Sequence, residues 1–344
     1  ERLRLVAVTG THGVATTATM VEGLLTSCGV RAVGVASERL TAPELHRLLA
    51  SDPEATDAVA ALPAAALRRG AGVGLRPDAV AVAALHDPRP QVLASLAAEV
   101  RVLLAAARHR VILLDSDTSA HLADEFPDAV LVALPTSPHA HRATWRVTGV
   151  GADGAASTFS LHGPGGLRRT TTVGRPGALL LADAALAVVT ALTAGHVDPD
   201  LAAGVPIDLP HRMEVLRRRP AVVADRAATA AELRRVLSAL PDRGRVWCVY
   251  PAAAPLERAG RLEVAQALSD CADGIVLAGS ADGEDALAAL RSCFTPAEAG
   301  RVHEAASVDA AVSLALRHAR PEDIVLVAGC GTILRGECPR EGHT

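Results

Sequence analysis

The stretch Val8–Met20 reads VTGTHGVATTATM, with Gly10 and Gly13 set between an apolar run and a segment of helical composition. Strand, glycine turn and helix together form the context in which phosphate is gripped. The free N–H groups and partial positive charge of a helix start face the anion. A working phosphate loop adds a lysine for the β- and γ-phosphates and a following Ser or Thr hydroxyl for Mg²⁺. Here those places hold Val14 and Ala15. Each charge-assisted hydrogen bond forgone costs about 1.5–3 kcal/mol. The residues left to bind anything are Gly10, Thr11, Gly13, Thr16 and Thr17. Two readings stay open: a tight strand-to-helix turn and nothing more, or a weak anion site. The chain has no lysine at all, its 34 basic residues being arginine. Chemistry that needs an ammonium, a Schiff base or a carbamylated lysine is therefore excluded.

Other groups are less specific. His139 and His141 form an H-x-H pair, read as a surface loop because no cysteine is near. Asp115 and Asp117 follow an apolar strand, where an acid can hold Mg²⁺, and are read as a turn. Arg217–Arg219 is read as a solvated basic face. The six cysteines form no C-x-x-C pair, so neither a zinc site nor a disulfide framework is indicated. Net charge is −4 and aromatic residues make up 2% of the chain. A basic footprint and stacking platforms for nucleic acid are thus both missing. No run has the length of a membrane span. A reduced, cytoplasmic setting is expected, with no nucleic-acid or membrane partner. The sequence opens on Glu1, which leaves open whether a further domain precedes it.

The elements that must position these residues alternate. Strands are expected at 3–8, 31–36, 79–84, 111–114 and 129–133, with helices at 16–28 and 90–108. The glycine-rich segment 145–173 predicts a small antiparallel region with hairpin turns. An alanine-rich helix follows at 182–194. The two prolines in Gly204–Pro210 mark a linker. Beyond it, strands are expected at 221–224, 246–249, 274–278 and 324–328, and helices at 230–240, 261–269, 284–292 and 308–319.

Several of these stretches, in this order, resemble the Mur ligase family, which joins an acid to an amino acid with ATP. The resemblance runs through VAVTGTHGVATTATMVEGLL and GVRAVGV, LLDSDTSAHLA, LLLADAALAVVTALTAGHVDPDLAAGV, HRMEVL, VVADRAATAAELRRVLSAL and PEDIVLVAGCGT. It is closest to the branch that adds the third residue to the muramoyl dipeptide. It implies an α/β fold: a P-loop-like central domain with a mostly parallel sheet over 1–209, and a smaller Rossmann-like C-terminal α/β domain over 210–344. It also implies that Val14 replaces the phosphate-loop lysine, Glu99 the carbamylated lysine, Asp183 the helix asparagine near the nucleotide, Ala228 a histidine and Cys330 the last lysine. The strand 58–62 is followed by no clear counterpart of the metal-binding glutamate. His86 and Asp87 fall out of register with the family's Asp-His turn, and Ser280–Gly283 takes the place of its Asp-Asn-Pro-Arg segment. Gly10, Thr11, Gly13, Arg212, Asp225, Gly329 and Gly331 are kept.

The pattern of losses implies a vestigial nucleotide site of Gly10, Thr11, Gly13, Thr16, Thr17, Arg212 and Asp225, with no catalytic residue and no metal. The expectation is a non-catalytic family member without a cofactor, paired with a protein such as an intact paralogue. The alternatives are an active ligase using Mg-ATP in a rebuilt site and a small-molecule binding module without turnover.

Overall fold

The computed structural model describes residues 3–36, 54–87, 89–152, 156–177, 180–195, 204–207, 209–240, 244–252, 256–279 and 284–330, together with 43, 47 and 50. They form two compact units. The first holds most of the chain up to residue 208, and the second the chain from Leu209 together with short stretches around 152–156 and 175–179.

The first unit begins with β1 (Arg4–Gly10) and α1 (Val14–Ser27), then β2 (Ala32–Ala36), β3 (Asp57–Pro63), α2 (Ala64–Arg68), β4 (Ala79–Val82) and α3 (Pro90–Ala106). It continues through β5 (His109–Leu113), α4 (Asp117–Glu125), β6 (Val130–Ala133), β7 (Trp145–Ala152), β8 (Ser157–His162), β9 (Arg168–Val173), α5 (Leu181–Thr193) and β10 (Gly204–Val205). One sheet takes in all ten strands, in the order β10-β9-β8-β7-β6-β5-β4-β1-β3-β2. From β2 to β7 its pairings are parallel, and β8–β9 is antiparallel. The central strands are apolar along their whole length because helices cover both faces. The residues of β4 and those of β1 from Leu5 onward are buried.

Helix α1 starts at Val14 rather than at 16, because Gly13 at φ 74° is already its N-cap. The expected antiparallel segment is not a free-standing region. Strand β7 pairs parallel with β6, and the β8–β9 hairpin extends the same sheet. The segment read as a linker opens as strand, with Gly204 and Val205 paired to Thr172 and Val173. Regular structure ends at Pro206, which has no N–H to continue the ladder.

The second unit contains β11 (Glu214–Arg218), β12 (Ala221–Ala224), α6 (Ala230–Ala239), β13 (Val246–Pro251), α7 (Arg258–Cys271), β14 (Gly274–Ala278), α8 (Glu284–Arg291), β15 (Val302–Ala305), α9 (Val308–His318) and β16 (Ile324–Val327). Its six-stranded sheet runs β11-β12-β16-β13-β14-β15, parallel except for the edge pair β11–β12. Strand β11 carries Arg217 and Arg218, so the basic run is an edge strand, a place where charge is tolerated and discourages further pairing. Cys28, Cys248, Cys271 and Cys293 are free. Cys330 is disulfide-bonded, a single bridge that the absence of a C-x-x-C pair did not reveal. Ser280–Gly283 and Gly331 lie outside the described residues. Among the described residues no helix is long and apolar enough to cross a membrane.

Candidate functional site

The first glycine turn is built from backbone. Gly10 has φ 143°, and a methyl group on it would sit 3.0 Å from the Ala84 carbonyl oxygen. Thr11 closes this approach. Its N–H and its hydroxyl both donate to the Ala84 carbonyl, at 2.8 and 2.9 Å, and its Oγ1 accepts from the His86 N–H at 2.8 Å. Thr11 thus ties the end of β1 to the end of β4. Val14, which the resemblance puts at the position of the loop lysine, is only 5% exposed. Thr16 and Thr17 are buried in the first turn of α1, and the Thr17 hydroxyl has no hydrogen-bond partner.

The start of α1 also has an acid against it. Helix α5 is buried from Leu181 to Ala191, with only Ala182 not buried, and its alanines let it lie close along α1. That closeness brings Asp183, 4% exposed, onto Gly13: a methyl group there would fall 2.1 Å from Asp183 Oδ1. Gly13 is therefore required twice, for its left-handed backbone and for the room it leaves the carboxylate. A phosphate brought to this turn would meet the N–H groups of a helix start and a carboxylate beside them.

Around the turn lie polar pairs at the carboxyl ends of neighbouring parallel strands, the edge at which open α/β sheets place ligands. His86 Nε2 lies 2.9 Å from Asp115 Oδ2, and the His12 ring is 6.4 Å from that of His86. His139 Nε2 lies 2.9 Å from the exposed Asp117. Between the two acids, Ser116 caps α4 by accepting from the Ser119 N–H. The Arg89 guanidinium and N–H donate to Asp87 and hold its carboxyl at about 2, with Arg68 adding a weaker attraction. Among the described residues no three His, Cys, Asp or Glu side chains are grouped to hold a metal.

In the second unit, Asp225 follows β12 and is 1% exposed. Its carboxylate accepts from the N–H groups of Met213 and Ala227, both at 2.9 Å. Burial raises its pKa, while those two bonds and the charge of Arg212 oppose the shift. The turn it holds is strained, with His211 at φ 57° and Met213 at φ 51°, neither of them glycine. The Glu214 carboxylate steadies the same turn by accepting from the His211 N–H at 2.9 Å. Glu232 completes a capping box on α6 with Thr229. Asp225 is thus the anchor of the segment that carries Arg212.

The residues singled out from the sequence fall into two groups. Gly10, Thr11, Gly13, Thr16 and Thr17 come together at the end of β1; Arg212 and Asp225 come together beside β12. Glu99 lies half-buried on α3, away from both in sequence. His139 is not simply a loop residue, since it is 20% exposed and paired to Asp117. The resemblance put Asp183 at the position of a helix asparagine near the nucleotide, but sequence reasoning left out His12 and Ser116. Ser116 had a local signal, a serine directly before a helical segment. Asp183 was marked by the resemblance alone, and its contact with Gly13 carries no local signal because it is made by a helix far along the chain.

Comparison with known proteins agrees with this geometry. Residues 211–331 match the family model described as Mur ligase, glutamate ligase domain. A UDP-N-acetylmuramyl-tripeptide synthetase of Leifsonia xyli subsp. xyli is 28% identical over 95% of this chain and 70% of its own length. A UDP-N-acetylmuramoyl-L-alanyl-D-glutamate–2,6-diaminopimelate ligase of Streptomyces coelicolor is 29% identical over 95% of this chain and 71% of its own length. Among solved structures, one of a UDP-N-acetylmuramoyl-L-alanyl-D-glutamate–2,6-diaminopimelate ligase superposes with a TM-score of 0.74 at 22% identity, covering 98% of this chain and 75% of that one. MurF ligase from Thermotoga maritima in complex with ADP gives 0.71 at 14% identity, covering 96% and 77%. Residues 211–331 thus carry the Mur ligase glutamate ligase domain, and the chain is similar to Mur ligases in sequence and in its two-sheet fold over nearly its whole length.

Proposed function

We propose that this member of the family has lost ATP-dependent amide-bond formation and acts as a non-catalytic partner or scaffold subunit in a biosynthetic pathway, paired with an intact paralogue. The observation that carries the reading is the first glycine turn, closed by the chain's own groups. Val14 fills the lysine position, and the Asp183 carboxylate lies against Gly13, at the helix start where a phosphate would bind. Two like charges 4 Å apart repel by about 4 kcal/mol at an effective dielectric constant of 20. That repulsion supports a turn that no longer receives the phosphates of ATP. The losses also follow the cost of burial, since a buried charge that no longer meets its ligand is expensive to keep.

Calorimetric titration of the pure chain with Mg-ATP tests the first half. The expected result is no saturable heat at millimolar nucleotide; binding followed by ADP release on adding an acid and an amine overturns it. Affinity purification from the source cell tests the second half. A stoichiometric complex with an intact family member is expected, and recovery of the chain alone overturns the partnership.

A second reading has one observation in its favour. The strand ends still carry His86–Asp115 and His139–Asp117, with Arg68 and Arg89 near Asp87. In that reading the chain is an active acid–amino acid ligase using Mg-ATP in a rebuilt site, and the same titration separates the two.

A further inference from the structure

A cluster of titratable rings lies in the second unit, away from Arg212 and Asp225 in sequence. Trp247 on β13, His303 on the edge strand β15 and His318 at the end of α9 are mutual neighbours. Ring centroids are 5.9 Å apart for Trp247–His303, 5.3 Å for Trp247–His318 and 5.2 Å for the two imidazoles, the last two pairs stacked within 20°. Gly274 on β14 makes this possible: a methyl group there would sit 2.3 Å from the Trp247 ring. The indole N–H is buried and has no hydrogen-bond partner, so packing rather than a polar contact holds the ring.

We propose that these three rings form an acid-sensitive latch, which holds β15 and the end of α9 to the sheet while at most one imidazole is protonated and lets go when both are. One imidazolium is tolerated, because an indole face attracts a cation. A second, 5.2 Å from the first, is repelled, and among the described residues neither ring is ion-paired to an acid. The nearby charged groups are engaged elsewhere. Glu304 pairs with Arg291 at 3.2 Å, and Asp323 accepts from the N–H groups of Arg245 and Arg320. Asp273 accepts from the Val246 N–H, and Arg301 donates to the Ser269 and Ala272 carbonyls. Arg317, next to His318 in the last turn of α9, adds positive charge. The pKa of His303 is lowered, first by burial and then by His318, and no carboxylate contributes. With a folded pKa below the unfolded one, its contribution to stability is full above the unfolded value, about 6.5, and is lost as pH falls below it.

The test is carried out on the full chain. Ring-proton NMR should give His303 a midpoint below ~6.5, moved upward in His318→Gln. Between pH 7.5 and 5.0 the wild type should lose about 4 °C more in the melting of its second unit than the His303→Gln/His318→Gln variant. A His303 midpoint at or above the ordinary value overturns the latch, and so does an equal loss in both proteins. The NMR midpoint needs no substitution, so it decides the matter even if the double variant does not fold.

Discussion

The glycine turn at the end of β1 and the corner beside β12 began from the same inference, since each keeps some family residues, yet they are built in different ways. At the corner, a buried carboxylate holds two backbone N–H groups and a strained turn in place. At the glycine turn, the retained residues are glycines and a threonine that join strand ends, and the charges beside them belong to the chain's own Asp183. The contrast suggests a rule for chains of this kind. Under the proposed reading, a charged residue that also holds the fold persists, whereas one that serves only a ligand is free to be exchanged for whatever packs.

The corner gives the largest expected effect. Asp225→Ala leaves the buried Met213 and Ala227 N–H groups unpaired, at about 1–3 kcal/mol each, so the second unit should lose roughly 3–5 kcal/mol in urea unfolding. A loss under about 1 kcal/mol would remove the structural reading of this residue and with it the contrast. The pH dependence has a definite sign. Burial raises the folded pKa of Asp225 above its unfolded value. Its contribution is therefore greatest below the unfolded value, ~3.9, and is lost as pH rises through the folded one. Relative to Asp225→Asn, wild-type stability should fall across that interval and stay level above it.

Next comes Gly13. Gly13→Ala puts a methyl group against Asp183 Oδ1 and forces alanine to a left-handed φ, for about 2–4 kcal/mol in all. In an Asp183→Ala background only the backbone strain remains, about 1–2 kcal/mol. A double-mutant cycle of the two substitutions should therefore show coupling above roughly 1 kcal/mol. Additive effects would mean that Asp183 does not close the turn in solution.

Restoring chemistry is the third test. Val14→Lys with Asp183→Asn returns a cation and removes an acid. Mg-ATP affinity should rise about 10- to 100-fold over the wild type, the equivalent of one charge-assisted bond. If Asp183→Asn alone does as well as the pair, the acid is the barrier and Val14 is incidental.

The parts of this contrast that the sequence revealed are those set by local rules. The glycine turn and the strand–helix alternation were readable because spacing and periodicity are local properties, and HRMEVL was readable by its resemblance to a family motif. Strand β15 has four residues, VHEA, too few for an alternating pattern to stand out. Strand β11, EVLRR, looks too charged for a strand until its place at the sheet edge is known. Asp183 was marked only by its match to a family asparagine, with no local sign of its contact with Gly13. Only tertiary packing, with alanines drawing α5 onto α1, brings it to Gly13. The clamp on Asp225 was hidden in the same way, since the backbone groups it holds show nothing in the amino-acid code.

The smallest effects are expected at the polar pairs around the glycine turn, and these separate the two functional readings most directly. His139 pairs with Asp117, whose side chain is 84% exposed, so His139→Ala should cost about 0.3 kcal/mol. His86→Ala should cost more, about 1 kcal/mol, because both carboxylate oxygens of Asp115 are out of water and Oδ2 loses its close imidazole neighbour. In a non-catalytic chain these stability losses are the whole effect, and assembly with a partner should change no more than they require. In an active ligase, His86→Ala would cut turnover far beyond what a 1 kcal/mol loss of stability produces, with unfolding almost unchanged. Turnover and urea midpoint measured on the same two variants therefore show whether the strand ends of the first unit have any ligand role beyond their part in the fold.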